Sequence, residues 1–250
     1  MSDPAPIVLT LRGLHRAFGD HEVLRGIDLE MRRGGTVVVL GASGSGKSVL
    51  LKHINGLLHP DSGEVKVLGF DVPSLSESEL VPLRRRVSYI FQLGALFDSL
   101  SVGENVAFPL REHTPLSETE ITGRVAAQLA AVGLEGSEEL APAELSGGMR
   151  KRVAVARGLV LSPELILYDE PTAGLDPLTG LAITRLIREV SQSRDATSLV
   201  VTHDLAVARE LGGTVAFLLN GSFAFQGRLQ DAARENGVVG EFVRAGGVHG

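Results

Sequence analysis

The chain of 250 residues has no cysteine and no tryptophan. Without cysteine there are no disulfides, thiolate metal sites or cysteine nucleophiles. No apolar run approaches the ~20 residues that a membrane-spanning helix needs. The opening stretch MSDPAPIVLT lacks the basic segment followed by an apolar one that marks a signal peptide. Positive charge is also short: 24 Lys and Arg against 30 Asp and Glu leave a formal net charge of −6, which argues against non-specific nucleic-acid binding. What remains, 44% apolar and 22% charged residues, is the composition expected of a soluble intracellular globular chain. The length allows one large domain or two small ones, and neither an internal repeat nor a low-complexity linker divides it.

Short apolar runs alternate with segments of helical period, the pattern of an α/β fold with a mostly parallel sheet. Thr36–Leu40 (TVVVL) reads as a strand buried on both faces. Leu50, Leu51, Ile54, Leu57 and Leu58 then repeat at helical spacing. Val87–Phe91, Leu165–Tyr168 and Ser198–Val201 read as further core strands, and Met149–Leu161 and Leu178–Val190 as amphipathic helices. Near the N-terminus, Val8–Leu11, Glu22–Leu24 and Ile27–Met31 are short alternating segments split by glycine, which predicts an antiparallel β lobe. Pro73–Glu144 carries helical patterns, notably Glu118–Val132, and reads as a mainly helical insertion. Within it Ser74–Glu79 reads as a solvated helix start and Arg84–Arg86 as a solvated helix face. The segment Asp231–Gly250 reads equally as an interface arm or a frayed tail.

Between the first core strand and its helix, Gly41–Ser48 (GASGSGKS) fits G-x-x-x-x-G-K-[ST] in full. Around Ser43, the glycines Gly41, Gly44 and Gly46 let backbone N–H groups face inward and wrap phosphates. The helix that follows adds its positive end to the same anion. Lys47 supplies a mobile charge for the β- and γ-oxygens, and the Ser48 hydroxyl is placed to ligate Mg²⁺. ATP and Mg²⁺ are therefore the expected ligands.

Leu165–Pro171 (LILYDEP) is an apolar strand ending in two carboxylates. Successive strand residues point to opposite faces, so Asp169 and Glu170 take different jobs. Asp169 suits the metal, directly or through its bound water. Glu170, held extended by Pro171, would face the γ-phosphate and orient or deprotonate water.

A second glycine loop, Leu145–Met149 (LSGGM), leads into a helix whose first turn holds Arg150, Lys151 and Arg152. Cations there oppose the helix dipole unless an anion lies nearby or water solvates them. Ser146, Gly147 and Gly148 suit phosphate contact, yet one ATP cannot easily engage two separated phosphate loops of one chain. The loop then serves the nucleotide of a second copy, which predicts a two-fold-symmetric homodimer with two ATP molecules at the seam.

Taken singly, Gln92 reads as a surface or satisfied polar residue, His203 as an ordinary strand-end histidine and Phe18 as core. Their order changes that reading. GASGSGKS, Gln92 after a strand, LSGGM, LILYDEP, the Ala173–Asp176 turn and His203 after Val200-Val201-Thr202 follow one another in the chain. Over nearly its whole length the chain thus resembles the nucleotide-binding subunit of ABC transporters. The resemblance implies the ABC ATPase fold: a P-loop NTPase core, an antiparallel β lobe and a helical subdomain at about 92–160, in a single domain 1–250. It implies that Phe18 stacks on adenine, where tyrosine is commoner, and that Gln92 contacts the metal and senses the membrane subunit. Ser146, Gly147 and Gly148 would touch the partner's γ-phosphate, Asp176 would couple the two sites, and His203 would hold the γ-phosphate and attacking water with Glu170.

Phe91–Leu110 and Met149 are similar, more narrowly, to the ATPase of MCE-associated, Mla-type lipid transporters. Glutamine or glutamate is commoner at Met149, and a thioether cannot replace the amide hydrogen bonds of glutamine. This narrower resemblance implies permease subunits in the inner membrane, an MCE-domain lipid-binding protein, a STAS-domain subunit and a phospholipid or related cargo. The motor would work at the cytoplasmic face, with Leu96, Phe97 and Leu100 docking a short membrane-subunit helix. A soluble ABC ATPase of iron–sulfur assembly remains an alternative, as do the ATPases of lipoprotein release and of amino-acid import. A DNA-repair head is disfavoured because no long heptad segment interrupts the core.

Overall fold

The computed structural model describes residues 5–193 and 196–246. The first and last four residues, parts of the stretch read for a signal peptide and of Asp231–Gly250, lie outside the described residues. In chain order the first elements are β1 (Ile7–Phe18), β2 (His21–Arg32), β3 (Thr36–Leu40), α1 (Lys47–Ile54), β4 (Ser62–Val67), β5 (Phe70–Asp71) and α2 (Glu77–Arg86). They are followed by β6 (Val87–Ile90), α3 (Val102–His113), α4 (Glu118–Ala131), α5 (Gly147–Leu159), β7 (Leu165–Asp169) and α6 (Pro177–Ser193). The last are β8 (Thr197–Thr202), α7 (Leu205–Leu211), β9 (Thr214–Leu219), β10 (Ser222–Gly227), α8 (Leu229–Ala232) and α9 (Val238–Ala245).

One sheet has the order β10-β9-β3-β8-β7-β6, in which β10 alone runs antiparallel to its neighbour. Its central strands β3, β7 and β8 are buried on both faces, as the unbroken run Thr36–Leu40 predicts for β3, while β10 at the edge alternates exposed and half-buried residues. Val38, Leu40, Ile166, Tyr168 and Val200 face a core shared with α3, α4, α5, α6 and α7. Val37, Val39, Leu165, Leu167, Leu199 and Val201 face a second core shared with α1, α2 and the β lobe. Because β3, β6, β7 and β8 are parallel, their C-terminal ends meet along one edge, where α/β folds bind ligands.

The second sheet, β2-β1-β4-β5, is the expected antiparallel lobe. Its strands are longer than the glycine-split pattern predicts. Gly13 and Gly26 have φ of 53° and 75°, and near them the β1–β2 register shifts without the ladder ending. They bulge the strands instead of terminating them.

Pro73–Glu144 is not one helical insertion. Leu80 and Leu83 of α2 join the β-lobe core, and β6 then interrupts the stretch before α3 and α4. The helix start is as expected: the Ser76 backbone N–H and hydroxyl both donate to Glu79, at 2.9 and 2.6 Å, so Glu79 closes the first turn of α2. Arg84 and Arg86 correct the solvated-face reading. Arg84 donates to the Asn55 and Gly56 carbonyls at the end of α1, and Arg86 pairs with Glu164. The β9–β10 hairpin turns on Asn220-Gly221, both at positive φ, a two-residue signal of the kind that specifies a type I′ turn.

Candidate nucleotide site

The Gly41–Ser48 loop leaves the end of β3 and feeds α1, whose first residue follows Gly46 at φ 101°. A Cβ there would lie 3.0 Å from Val23 Cγ1 and 3.1 Å from Leu24 Cδ2, so glycine is required by both dihedral and space. Lys47 is buried; its Nζ donates to the Gly41 and Ala42 carbonyls, both at 2.9 Å, and lies 3.2 Å from Glu170 Oε1. The Ser48 hydroxyl donates to Asp169 Oδ1 at 2.9 Å. The other Asp169 oxygen accepts from the Tyr89 hydroxyl at 2.8 Å. Burial, reinforced by the Asp169 charge, raises the Tyr89 phenol above its ordinary range and keeps it a donor.

Glu170 does not adopt the extended backbone expected before proline. Its φ is 45°, in the left-handed region that non-glycine residues seldom occupy. Its N–H still donates to Val201 O at 2.9 Å, which holds the residue on the sheet while the chain turns into Pro171. The two carboxylates do separate in role, but they end on adjacent residues of α1, Asp169 on Ser48 and Glu170 on Lys47. Glu170 Oε2 also meets His203, whose backbone N–H and Nδ1 lie 3.3 and 2.9 Å away.

The second glycine loop begins at Ser146, whose Oγ accepts the Met149 N–H at 3.2 Å and caps α5. A Cβ on Gly147 would lie 3.3 Å from Leu175, and one on Gly148 2.5 Å from Thr179, so the loop packs on the turn that carries Asp176. Asp176 Oδ1 accepts the N–H groups of Leu178 and Thr179, each at 3.1 Å. Hydrogen bonds from Thr179 hold its carboxyl below the usual range. The three cations that oppose the α5 dipole all reach carbonyl oxygens. Arg150 bonds Pro142 O at 3.4 Å and Arg152 bonds Val132 O at 2.7 Å, while Lys151 reaches Gln92 O and, at 3.4 Å, Glu170 O. Burial lowers the Lys151 ammonium, and the Asp169 and Glu170 charges pull it back up.

Phe18, Ser43, Gly44, Gly46, Lys47, Ser48, Gln92, Glu170 and His203 line one cavity of about 650 Å³, to which α9 adds Phe242. Gly41 and Asp169 stand directly behind it through their bonds to Lys47 and Ser48. Ser146, Gly147, Gly148 and Asp176 do not line it. Phe18 is 45% exposed, with the Arg16 guanidinium 4.7 Å from its ring centre, and is not a core residue. The oxygens of Ser48 and Asp169, with Gln92 on the same cavity, are the hard donors that Mg²⁺ accepts alongside phosphate. Among the described residues no cluster of His, Cys, Asp and Glu could hold a metal unaided. Sequence reasoning missed Tyr89, Lys151 and Phe242 as members of this neighbourhood. Tyr89 lies in a predicted strand and Lys151 in a noted cluster, but no spacing rule joins either to Asp169 or Glu170.

The family pattern described as ABC transporter matches residues 24–173. The chain is 42% identical over 215 residues to the probable ribonucleotide transport ATP-binding protein mkl of Mycobacterium leprae, an alignment covering 86% of this chain and 62% of that relative. It therefore spans less than two thirds of that relative's length. It is 44% identical over 187 residues to the intermembrane phospholipid transport system ATP-binding protein MlaF of Haemophilus influenzae, covering 75% of this chain and 71% of the relative. The solved dimeric, post-hydrolysis structure of the ATP-binding cassette MJ0796 bound to ADP and Pi matches with a TM-score of 0.80 at 33% identity, over 88% of this chain and 98% of that one. With a family pattern that matches more than half of its residues and the fold of a solved ATP-binding cassette, this protein belongs to the ABC transporter family.

Proposed function

We propose that this chain is the ATP-hydrolysing subunit of an ABC transporter that moves phospholipid or a related lipid between envelope membranes. The observation that carries the hydrolytic part is the clustering of Lys47, Glu170 and His203, with Ser48 and Asp169 beside them, at the ends of three parallel strands. In this reading the loop amides and Lys47 bind the phosphates. Glu170 accepts a proton from the attacking water, and His203 holds the carboxylate in place. Ser48, Asp169 and Gln92 would hold Mg²⁺, which supplies charge neutralisation on the phosphate oxygens. Phe18 presents an exposed ring to adenine.

Ser146, Gly147 and Gly148 lie outside the cavity, which supports their serving the γ-phosphate of a second copy, with Asp176 coupling the two sites. MJ0796 is dimeric with ADP and Pi bound, and a homodimer is the arrangement we infer here. Residues 1–250 then form a single domain, with 92–160 as its helical subdomain. The proposed partners are permease subunits, an MCE-domain lipid-binding protein and a STAS-domain subunit, at the cytoplasmic face of the inner membrane. No helix among the described residues is long and apolar enough to cross a membrane, so the span would come from the permease.

Likeness to MlaF supports lipid as cargo; likeness to mkl favours ribonucleotide as a second reading. Purification from membranes with whatever copurifies, followed by lipid and nucleotide mass spectrometry, separates them. Phospholipid in a complex with a polytopic protein supports the first reading. A soluble scaffold in its place would move the chain to cluster assembly, and absence of ATP hydrolysis would overturn the enzymatic assignment itself.

A further inference from the structure

Lys151 lies on α5 and is 7% exposed. Its ammonium ends on two backbone carbonyls from different parts of the chain. One is Gln92 O, 59 residues away in the loop after β6; the other is Glu170 O, 19 residues away in the turn after β7. Both residues line the nucleotide cavity. A buried ammonium is costly unless its donors are used, and here they join two functional backbones.

Glu170 needs such support. Its left-handed backbone is strained and persists only if its surroundings over-determine it. The residue is pinned by its N–H on Val201 O and by its carbonyl, which accepts from Ala173 N at 3.1 Å as well as from Lys151. The Gln92 loop is pinned from the same helix a second time. Arg157 donates to Gly94 O at 2.7 Å and to Ala95 O at 2.8 Å, where both residues have positive φ. Arg157 therefore grips the loop alone, whereas Lys151 grips the loop and the catalytic turn together.

We propose that Lys151 is a positioning residue that fixes Gln92 and Glu170 relative to one another, so that displacement of the 92–95 loop reaches the catalytic carboxylate through one ammonium. The proposal rests on the hydrolytic reading of Glu170 above, and its test separates the two. In steady-state ATP hydrolysis by the full chain, Lys151→Met lowers kcat on the order of ten- to a hundredfold while KM for ATP stays within about twofold. Lys151→Arg, which keeps a charged donor, recovers most of the rate. In hydrogen exchange, Lys151→Met raises exchange at both 92–95 and 170–173, and Arg157→Met raises it at 92–95 alone. An unchanged kcat in Lys151→Met, a parallel loss of ATP affinity without rescue by arginine, or a uniform rise in exchange along the chain would each overturn it. If the wild-type chain hydrolyses no ATP, the functional reading fails, and the exchange pattern still decides whether Lys151 bridges the two segments.

Discussion

His203 presents two groups to a single oxygen of Glu170: its Nδ1 lies 2.9 Å and its backbone nitrogen 3.3 Å from Oε2. The opposite oxygen, Oε1, is 3.2 Å from Lys47. The carboxylate is thus held at both ends, with its rotation fixed before any water meets it.

Glu170→Gln keeps the shape and removes the proton acceptor. Hydrolysis falls by roughly a thousandfold, while ATP binding survives. Sedimentation with ATP and Mg²⁺ should then show a stable dimer. Monomer alone under those conditions would remove either the role given to Glu170 or the dimer.

Tyr89→Phe deletes the hydroxyl that donates to Asp169 Oδ2. Loss of one charge-assisted bond in a partly buried site costs about 1.5–3 kcal/mol, measurable by urea unfolding. The Mg²⁺ concentration for half-maximal hydrolysis should rise as well, because Asp169 loses one of its two fixed partners.

Asn105 is fully buried on α3 and organises the bend before its own helix. Its Oδ1 accepts from Phe97 N at 2.8 Å, and its Nδ2 donates to Phe97 O, Leu100 O and Ser101 O at 3.0–3.2 Å. Asn105→Ala leaves those groups unsatisfied and destabilises by about 2–3 kcal/mol. Asn105→Asp keeps the acceptor but loses the amide donors, and should be no better. Thermal unfolding of the two variants checks both statements.

His53 is buried on α1, with Nδ1 2.7 Å from Val49 O and Nε2 unpartnered among the described residues. Burial lowers its pKa below 6.5, with the Arg16 charge acting in the same direction. The unfolded chain takes up a proton near 6.5 while the folded one resists, so this contribution to stability is complete above 6.5 and is lost as pH falls. Denaturant titrations from about pH 7 to about pH 5 should show that loss, and His53→Leu should flatten the part due to this group.

Much of the site was legible because its chemistry is local. The glycines of Gly41–Ser48 and the carboxylates after Leu165–Tyr168 sit where strand, turn and helix must place them. The parallel sheet was legible in the same way, from β-branched runs buried on both faces. What escaped depends on distant backbone. Lys151 and Arg84 look like solvated charges until the carbonyls they reach are known, 59 and 28 residues away for Gln92 and Gly56. Gly13 and Gly26 read as strand ends from sequence because a bulge and a break share the same residue. Pre-proline sterics alone predict an extended Glu170, whereas its positive φ accompanies a bond to Val201 O on the neighbouring strand that the local sequence does not reveal.

The double burial of β3, β7 and β8 has a mechanical consequence. A strand with a packed core on each side opens only when the whole molecule does, so the phosphate loop, Asp169 and His203 are rooted in an anvil that does not yield during turnover. Under the proposed function, an ATP-driven movement would be carried by the pieces hung outside that anvil: the loop after β6, the α3–α5 layer and the Asp176 turn. Amide exchange in β3, β7 and β8 should accordingly be as slow with nucleotide as without it, while the hammer parts change pace.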